Sequence, residues 1–136
     1  MASVRLVDSP TRRAALLGLG LSCISAWGAT RAAQTPARAV KVADDVWFVQ
    51  GESAQGSAAN RNFISNAAFV VTRDGVLVVD ALGSPALAAE LLAEIRRITP
   101  APVRYVVVTH YHADHIYGLQ AFKDAGATII AQKDGQ

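Results

Sequence analysis

The run Gly75-Val76-Leu77-Val78-Val79, closed by Asp80 and Ala81, restricts the fold more than any other stretch. It is apolar on both of its alternating faces, so it belongs in a sheet that is covered on each side. A second apolar run, Val103-Arg104-Tyr105-Val106-Val107-Val108, also reads as a buried strand. Between them Leu87, Leu91, Ile95 and Ile98 recur at spacings of four, four and three, which is one apolar face of a helix. Ser84 suits the N-cap of that helix and Pro85 its first position, while Arg96 and Arg97 suit the dipole in its last turn. Pro100 and Pro102 stop the helix and feed the second strand. Farther on, His115 to Asp124 reads as a helix with Leu119 and Phe122 inward and Gly126 as its stop, and Ala127 to Ala131 as a strand. Alternation of strand and helix around a layered core is the α/β class.

Upstream the pattern is that of hairpins. Val40-Lys41-Val42 and Val46-Trp47-Phe48-Val49 flank Ala43-Asp44-Asp45, and Ala67–Val71 and Val76–Asp80 flank Thr72-Arg73-Asp74-Gly75, whose Asp-Gly is a strong turn signal. Between the hairpins, residues 51–66 are rich in Gly, Ser, Ala and Asn and show no period. Structureless loops longer than roughly 12 to 15 residues are uncommon and often functional, so this one reads as a rim or lid. Asn60, Arg61 and Asn62 are either substrate contacts or solvated loop residues.

The strand ending at Val108 leads into Thr109-His110-Tyr111-His112-Ala113-Asp114-His115-Ile116, which holds all three histidines of the chain. Imidazole nitrogen and carboxylate oxygen are preferred ligands of zinc and similar divalent metals. Residues i and i+2 of an extended segment project to the same side, so His110 and His112 can pinch one ion. A helical turn starting near Ala113 then turns Asp114 and His115 towards a neighbouring position, so that one loop can feed two metals. The ligands stand at a strand's carboxyl end, where open α/β sheets place their sites. No Ser-His-Asp or Cys-His set competes, because every histidine is in this cluster. Asp80, also at a strand terminus, either orients a ligand imidazole or its loop through hydrogen bonds or serves as an ordinary turn residue. Tyr111 and Tyr117 flank the ligands and either line the pocket, or donate a hydrogen bond to substrate, or pack, the last being expected because aromatics beside a buried loop commonly do so. Thr109 is expected to bond its own loop backbone and carries no chemistry.

His110-x-His112-x-Asp114-His115 after an apolar strand resembles the signature of the metallo-β-lactamase fold superfamily of metallohydrolases. The resemblance spans residues 40 to 136. It implies an αββα sandwich of which this is the N-terminal half. It also implies two zinc ions in the complete domain: His110 and His112 hold the first, Asp114 and His115 the second, and further His and Asp ligands lie downstream. No histidine follows His115 before Gln136, so the chain is expected to be an incomplete domain. Asp114 is the expected catalytic residue, orienting the metal-activated hydroxide, and Asp80 has a supporting role behind the ligands. The implied activity is hydrolysis of an ester, thioester, lactone or amide in a small-molecule substrate. The alternatives are a mononuclear iron enzyme like the sulfur dioxygenases, or a non-catalytic fragment. Within the superfamily the layout is similar to periplasmic zinc hydrolases associated with quinoprotein and sulfur-oxidation systems.

Charge is uneven. In residues 1–33 four arginines (Arg5, Arg12, Arg13, Arg31) stand against Asp8, a net +3, which leaves −1 for residues 34–136 out of a total of +2. The basic balance thus belongs to the leader and implies no nucleic-acid surface. That leader runs Pro10-Thr11-Arg12-Arg13, then an apolar stretch Ala14–Trp27, then small residues, the order of a secretory signal. Its paired arginines resemble a bacterial twin-arginine export signal, which implies a periplasmic protein exported already folded. Fourteen apolar residues fall short of the roughly 20 that a permanent membrane span requires. Small residues permit cleavage after Gly28, Ala32 or Ala39, the first two being expected. Cys23 lies inside the apolar stretch behind Gly20-Leu21-Ser22, a poor match to a lipoprotein box, so the mature part has neither a disulfide nor a thiolate ligand. Residues 34–39 read as a linker. No pattern sets an oligomeric state.

Overall fold

The computed structural model describes residues 36–133. The leader expected over residues 1–33, with Cys23 and the cleavage positions after Gly28 and Ala32, lies outside them. Among the described residues no helix is long and apolar enough to cross a membrane.

Six strands form one mixed sheet in sequence order: β1 (Ala39–Ala43), β2 (Val46–Val49), β3 (Ala67–Thr72), β4 (Gly75–Val79), β5 (Val103–Val107) and β6 (Thr128–Ile130). The first four pair antiparallel, β1–β2 and β3–β4 as hairpins and β2–β3 across the long loop, and β4, β5 and β6 run parallel. The parallel pairs need crossovers. Helix α1 (Pro85–Ile98) supplies the first, and α2 (Ala113–Ile116) with α3 (Leu119–Asp124) the second. Ser84 caps α1 as its sequence predicts, its hydroxyl accepting the Leu87 N–H at 3.2 Å.

Helices α1 and α3 pack on each other, and their buried residues Leu87, Leu91, Ile95 and Phe122 share a core with Phe69, Val76, Val78 and Val106 of the sheet. Trp47 stacks on Phe69 at 5.3 Å between ring centres and extends that core to β2. The other sheet face differs from expectation. Register sets Leu77 beside Val70 and Tyr105, and Val79 beside Ala68 and Val107. These side chains are half-buried, and Tyr105 is exposed. Among the described residues β4 is therefore fully covered on one side only, because alternation carries Leu77 and Val79 away from the helices.

The expected linker is also more ordered than its composition suggests. Its described part, residues 36–39, lies on α1, with Ala37 only 3% exposed, and β1 already begins at Ala39. The Ala37 N–H donates to Glu90 Oε2 at 3.3 Å and the Ala39 N–H to Glu94 Oε1 at 3.1 Å. Each carboxylate is also held by an arginine, Glu90 by Arg61 of the long loop and Glu94 by Arg97 one turn along α1. Hydrogen bonding from Arg61 outweighs burial and holds Glu90 below its ordinary value, and Arg97 does the same for Glu94.

A carboxylate with a depressed folded-state pKa stabilises the fold fully above its unfolded value, 4.5 for glutamate, and that contribution is lost as pH falls through the folded value. Glu94→Gln is thus expected to be less stable than the parent at neutral pH, with the gap narrowing as pH falls from neutral to below 4.5. Urea unfolding across that range tests this; stability curves that stay parallel would contradict it.

Candidate metal centre

The carboxyl ends of β4 and β5 lie side by side, since Val79 pairs with Val107 and the Asp80 N–H donates to the Val107 carbonyl at 2.9 Å. Parallel pairing therefore brings Asp80, which ends one run, beside the histidine-bearing loop that ends the other. Asp80 is 5% exposed and takes a left-handed φ of 62°, a conformation Asp tolerates better than most residues. Leu82, fully buried, takes φ 65°, so the chain leaving β4 turns sharply beneath the motif.

The Asp80 carboxylate accepts three donors. Oδ1 takes the Thr109 N–H at 2.9 Å, Oδ2 takes the Thr109 hydroxyl at 2.8 Å, and Oδ2 also faces His115 Nδ1 at 2.8 Å. An ionised carboxylate only accepts, so His115 carries its proton on Nδ1 and leaves the Nε2 lone pair free. Thr109 has one hydroxyl proton, and when Asp80 receives it the hydroxyl oxygen accepts from His110 Nδ1, 2.9 Å away. His110 is then left with its Nε2 lone pair as well. One buried carboxylate thus sets two imidazole tautomers, the second through Thr109.

The outward atoms face one another in pairs. His110 Nε2 and His112 Nδ1 are 3.2 Å apart, and His115 Nε2 and Asp114 Oδ2 are 3.5 Å apart. Two donors bound at about 2.0–2.2 Å to one tetrahedral zinc are separated by about 3.3–3.5 Å, so both pairs stand close to a ligand edge. An N–H···N hydrogen bond also satisfies the first separation. The His110 ring lies 4.7 Å from His112 and 4.2 Å from His115, between centroids. Among the described residues no three His, Cys, Asp or Glu side chains converge on one point. The donor chemistry fits divalent metal as two pairs, each supplying half of a four-coordinate shell.

The single turn of α2 that carries Asp114 and His115 is held by other elements. The Ala81 N–H donates to the His115 carbonyl at 2.8 Å, and the Ser65 hydroxyl donates to the Asp114 carbonyl. Ser65 is 3% exposed and closes the long loop just before β3. The predicted continuous helix over 115–124 is interrupted at Tyr117–Gly118. Instead of continuing the helix to the Asp114 carbonyl, the Gly118 N–H bonds to the Leu82 carbonyl at 3.1 Å. A Cβ at Gly118 would meet the Ala81 carbonyl oxygen at 1.9 Å, so the close approach that locks α2 requires glycine.

Of the other residues singled out in the sequence, Asn60 is used within its loop, accepting from the Ser57 and Asn62 N–H groups and donating to the Gln55 carbonyl. Arg61 points to Glu90 on α1. Asn62 comes nearest the motif, across Gly83, where a Cβ would meet the Asn62 carbonyl oxygen at 2.9 Å and the Asp114 Cα at 3.3 Å. Tyr111 and Tyr117 do not pack as expected. They are 73% and 63% exposed, and Tyr111 touches only the edge of the His112 ring among aromatic neighbours. Sequence reasoning missed Ser65 and assigned Thr109 only a backbone bond. The signal for Thr109 was its place between the strand and the first histidine; Ser65 had none.

Residues 60–131 match the family model of the metallo-β-lactamase superfamily. The fold is similar to that of metallo-β-lactamase FIM-1 from Pseudomonas aeruginosa in its mono-zinc form, with a TM-score of 0.63 at 21% identity over 77% of this chain and 46% of that one. A metallo-β-lactamase from Hirschia baltica gives a TM-score of 0.61 at 22% identity over 74% of this chain and 45% of the other. A linear primary-alkylsulfatase from Pseudomonas sp. (strain ATCC 19151) is 41% identical over 49 residues, 36% of this chain and 9% of the relative. The chain spans less than half the length of the solved structures and about a tenth of the alkylsulfatase.

Two substitutions test the scaffold. Gly118→Ala is expected to cost roughly 1–3 kcal/mol through forced backbone displacement. Ser65→Ala leaves the Asp114 carbonyl without its donor and is expected to cost about 1–3 kcal/mol. Denaturant unfolding measures both, and wild-type midpoints would show that these contacts do not hold α2.

Proposed function

Since the chain belongs to the metallo-β-lactamase superfamily, we propose that it carries the ligand loop of a zinc-dependent hydrolase, with His110 and His112 holding one ion and Asp114 and His115 a second. The observation that carries this reading is the two donor pairs near a tetrahedral ligand edge, on a loop whose tautomers are set from behind by Asp80. Zinc, when bound, polarises a carbonyl or ester oxygen and lowers the pKa of a coordinated water to about 7. The protein's own residues do the rest. Asp80 keeps the ring of His115 oriented directly and that of His110 through Thr109. Asp114, its side chain 25% exposed, would accept a hydrogen bond from the attacking water and aim it.

The substrate is proposed to be a small molecule with an ester, thioester, lactone or amide bond. A cleft of about 390 Å³ opens beside the loop, its lining including Thr109, His110 and Tyr111 together with a wall of Ile116, Leu119 and Ile129. Such a wall suits an apolar substituent next to the reacting group, and the alkylsulfatase likeness adds primary alkyl sulfate esters to the class. The leader supports work in the periplasm.

Metal content of the natural full-length product, by mass spectrometry, tests the reading. Near two zinc ions per chain are expected, falling towards one in the pair His110→Ala/His112→Ala and in the pair Asp114→Ala/His115→Ala. One iron per chain moves the reading to an oxygenase, and no retained metal removes the enzyme reading. Asp80→Asn is expected to weaken metal affinity about 10–100-fold, the usual cost of losing a group that orients a ligand; unchanged affinity in a competition titration would remove Asp80 from the site.

A further inference from the structure

Small residues stand three and one places before the bonds after Gly28 (Ala26 and Gly28), after Ala32 (Thr30 and Ala32) and after Ala39 (Ala37 and Ala39), as export peptidases require. By sequence the third is an Ala-x-Ala match and is as good as the others. We infer that processing occurs after Gly28 or after Ala32 and that the fold closes the bond after Ala39. The inference rests on reading residues 1–33 as an export leader, and not on the proposed hydrolase activity.

A peptidase that recognises small side chains at these places binds the segment extended, inserting the side chains into pockets and pairing with its backbone. Neither is available at 37–39. The Ala37 methyl is in the core, at 3% exposure, and the Ala37 and Ala39 N–H groups are bonded to Glu90 and Glu94. The peptide bond to be cut, Ala39–Val40, lies inside β1, where Ala39 pairs with Val49 and Val40 with Phe48. Presenting that bond means stripping β1 from β2 and breaking both carboxylate contacts. A passenger that folds before export, as a twin-arginine leader implies, meets the peptidase with these contacts already made. The bonds after Gly28 and Ala32 precede Ala37 by four residues or more in sequence. Hydrolysis there puts the water's hydroxyl on the Gly28 or Ala32 carbonyl carbon and its proton on the new α-amino group. The mature chain then keeps Ala37 and Ala39, and Glu90 and Glu94 keep their N–H donors.

The test is intact mass and N-terminal sequencing of the full chain exported from a bacterial host. A first residue at Ala29 or Ala33 is expected; a first residue at Val40, or an exported chain that keeps its leader, overturns the inference. The double substitution Gly28→Leu/Ala32→Leu lies wholly within residues 1–33, read as the leader. It is expected to accumulate uncut precursor, whereas a product beginning at Val40 shows that the bond after Ala39 is open and overturns the inference independently.

Discussion

The buried carboxylate of Asp80 is the interaction on which the ligand loop depends. At 5% exposure it must be matched by donors, since an ionised group left unpaired in the interior is strongly destabilising. Thr109 and His115 supply those donors, so the electrostatic demand of one side chain fixes the exit of β4, the exit of β5 and the turn of α2 relative to each other. The same bonds decide which imidazole nitrogens face outward. Structural necessity and ligand preparation are here one set of contacts.

Around that centre the backbone supplies rigidity that side chains alone do not. A helix of four residues has almost no stability of its own, because nucleation is unfavourable. It holds its shape because Ser65, Ala81 and Leu82 bond its carbonyls and the chain just beyond it. The long loop reaches the motif from one side through Ser65 and α1 from the other through the Arg61–Glu90 pair. Candidate ligands mounted in this way keep their separations without a wholly buried site, and His110 and His112 remain open to solvent.

Most of the secondary structure was legible in the sequence. The hairpins, the cap at Ser84, the apolar stripe of α1 and the strand before His110 all follow from local preference and periodicity, which act over a few residues. The αββα resemblance also agrees with the mixed sheet and its helices. The departures share a cause. The break at Gly118, the docking of residues 36–39, the exposed tyrosines and the half-covered face of β4 depend on which distant segment lies opposite, and periodicity carries no such information.

Residue types and spacing alone determined that three imidazoles and a carboxylate would share one loop at the end of a buried strand, because a short loop cannot separate neighbours in sequence. Only the tertiary structure decided that Asp80, twenty-nine residues before Thr109, would lie beneath them and turn their lone pairs outward. That contact follows from parallel pairing of β4 with β5, a long-range choice made by helix α1 packing across the sheet. The candidate ligands were written locally; their orientation is a property of the fold.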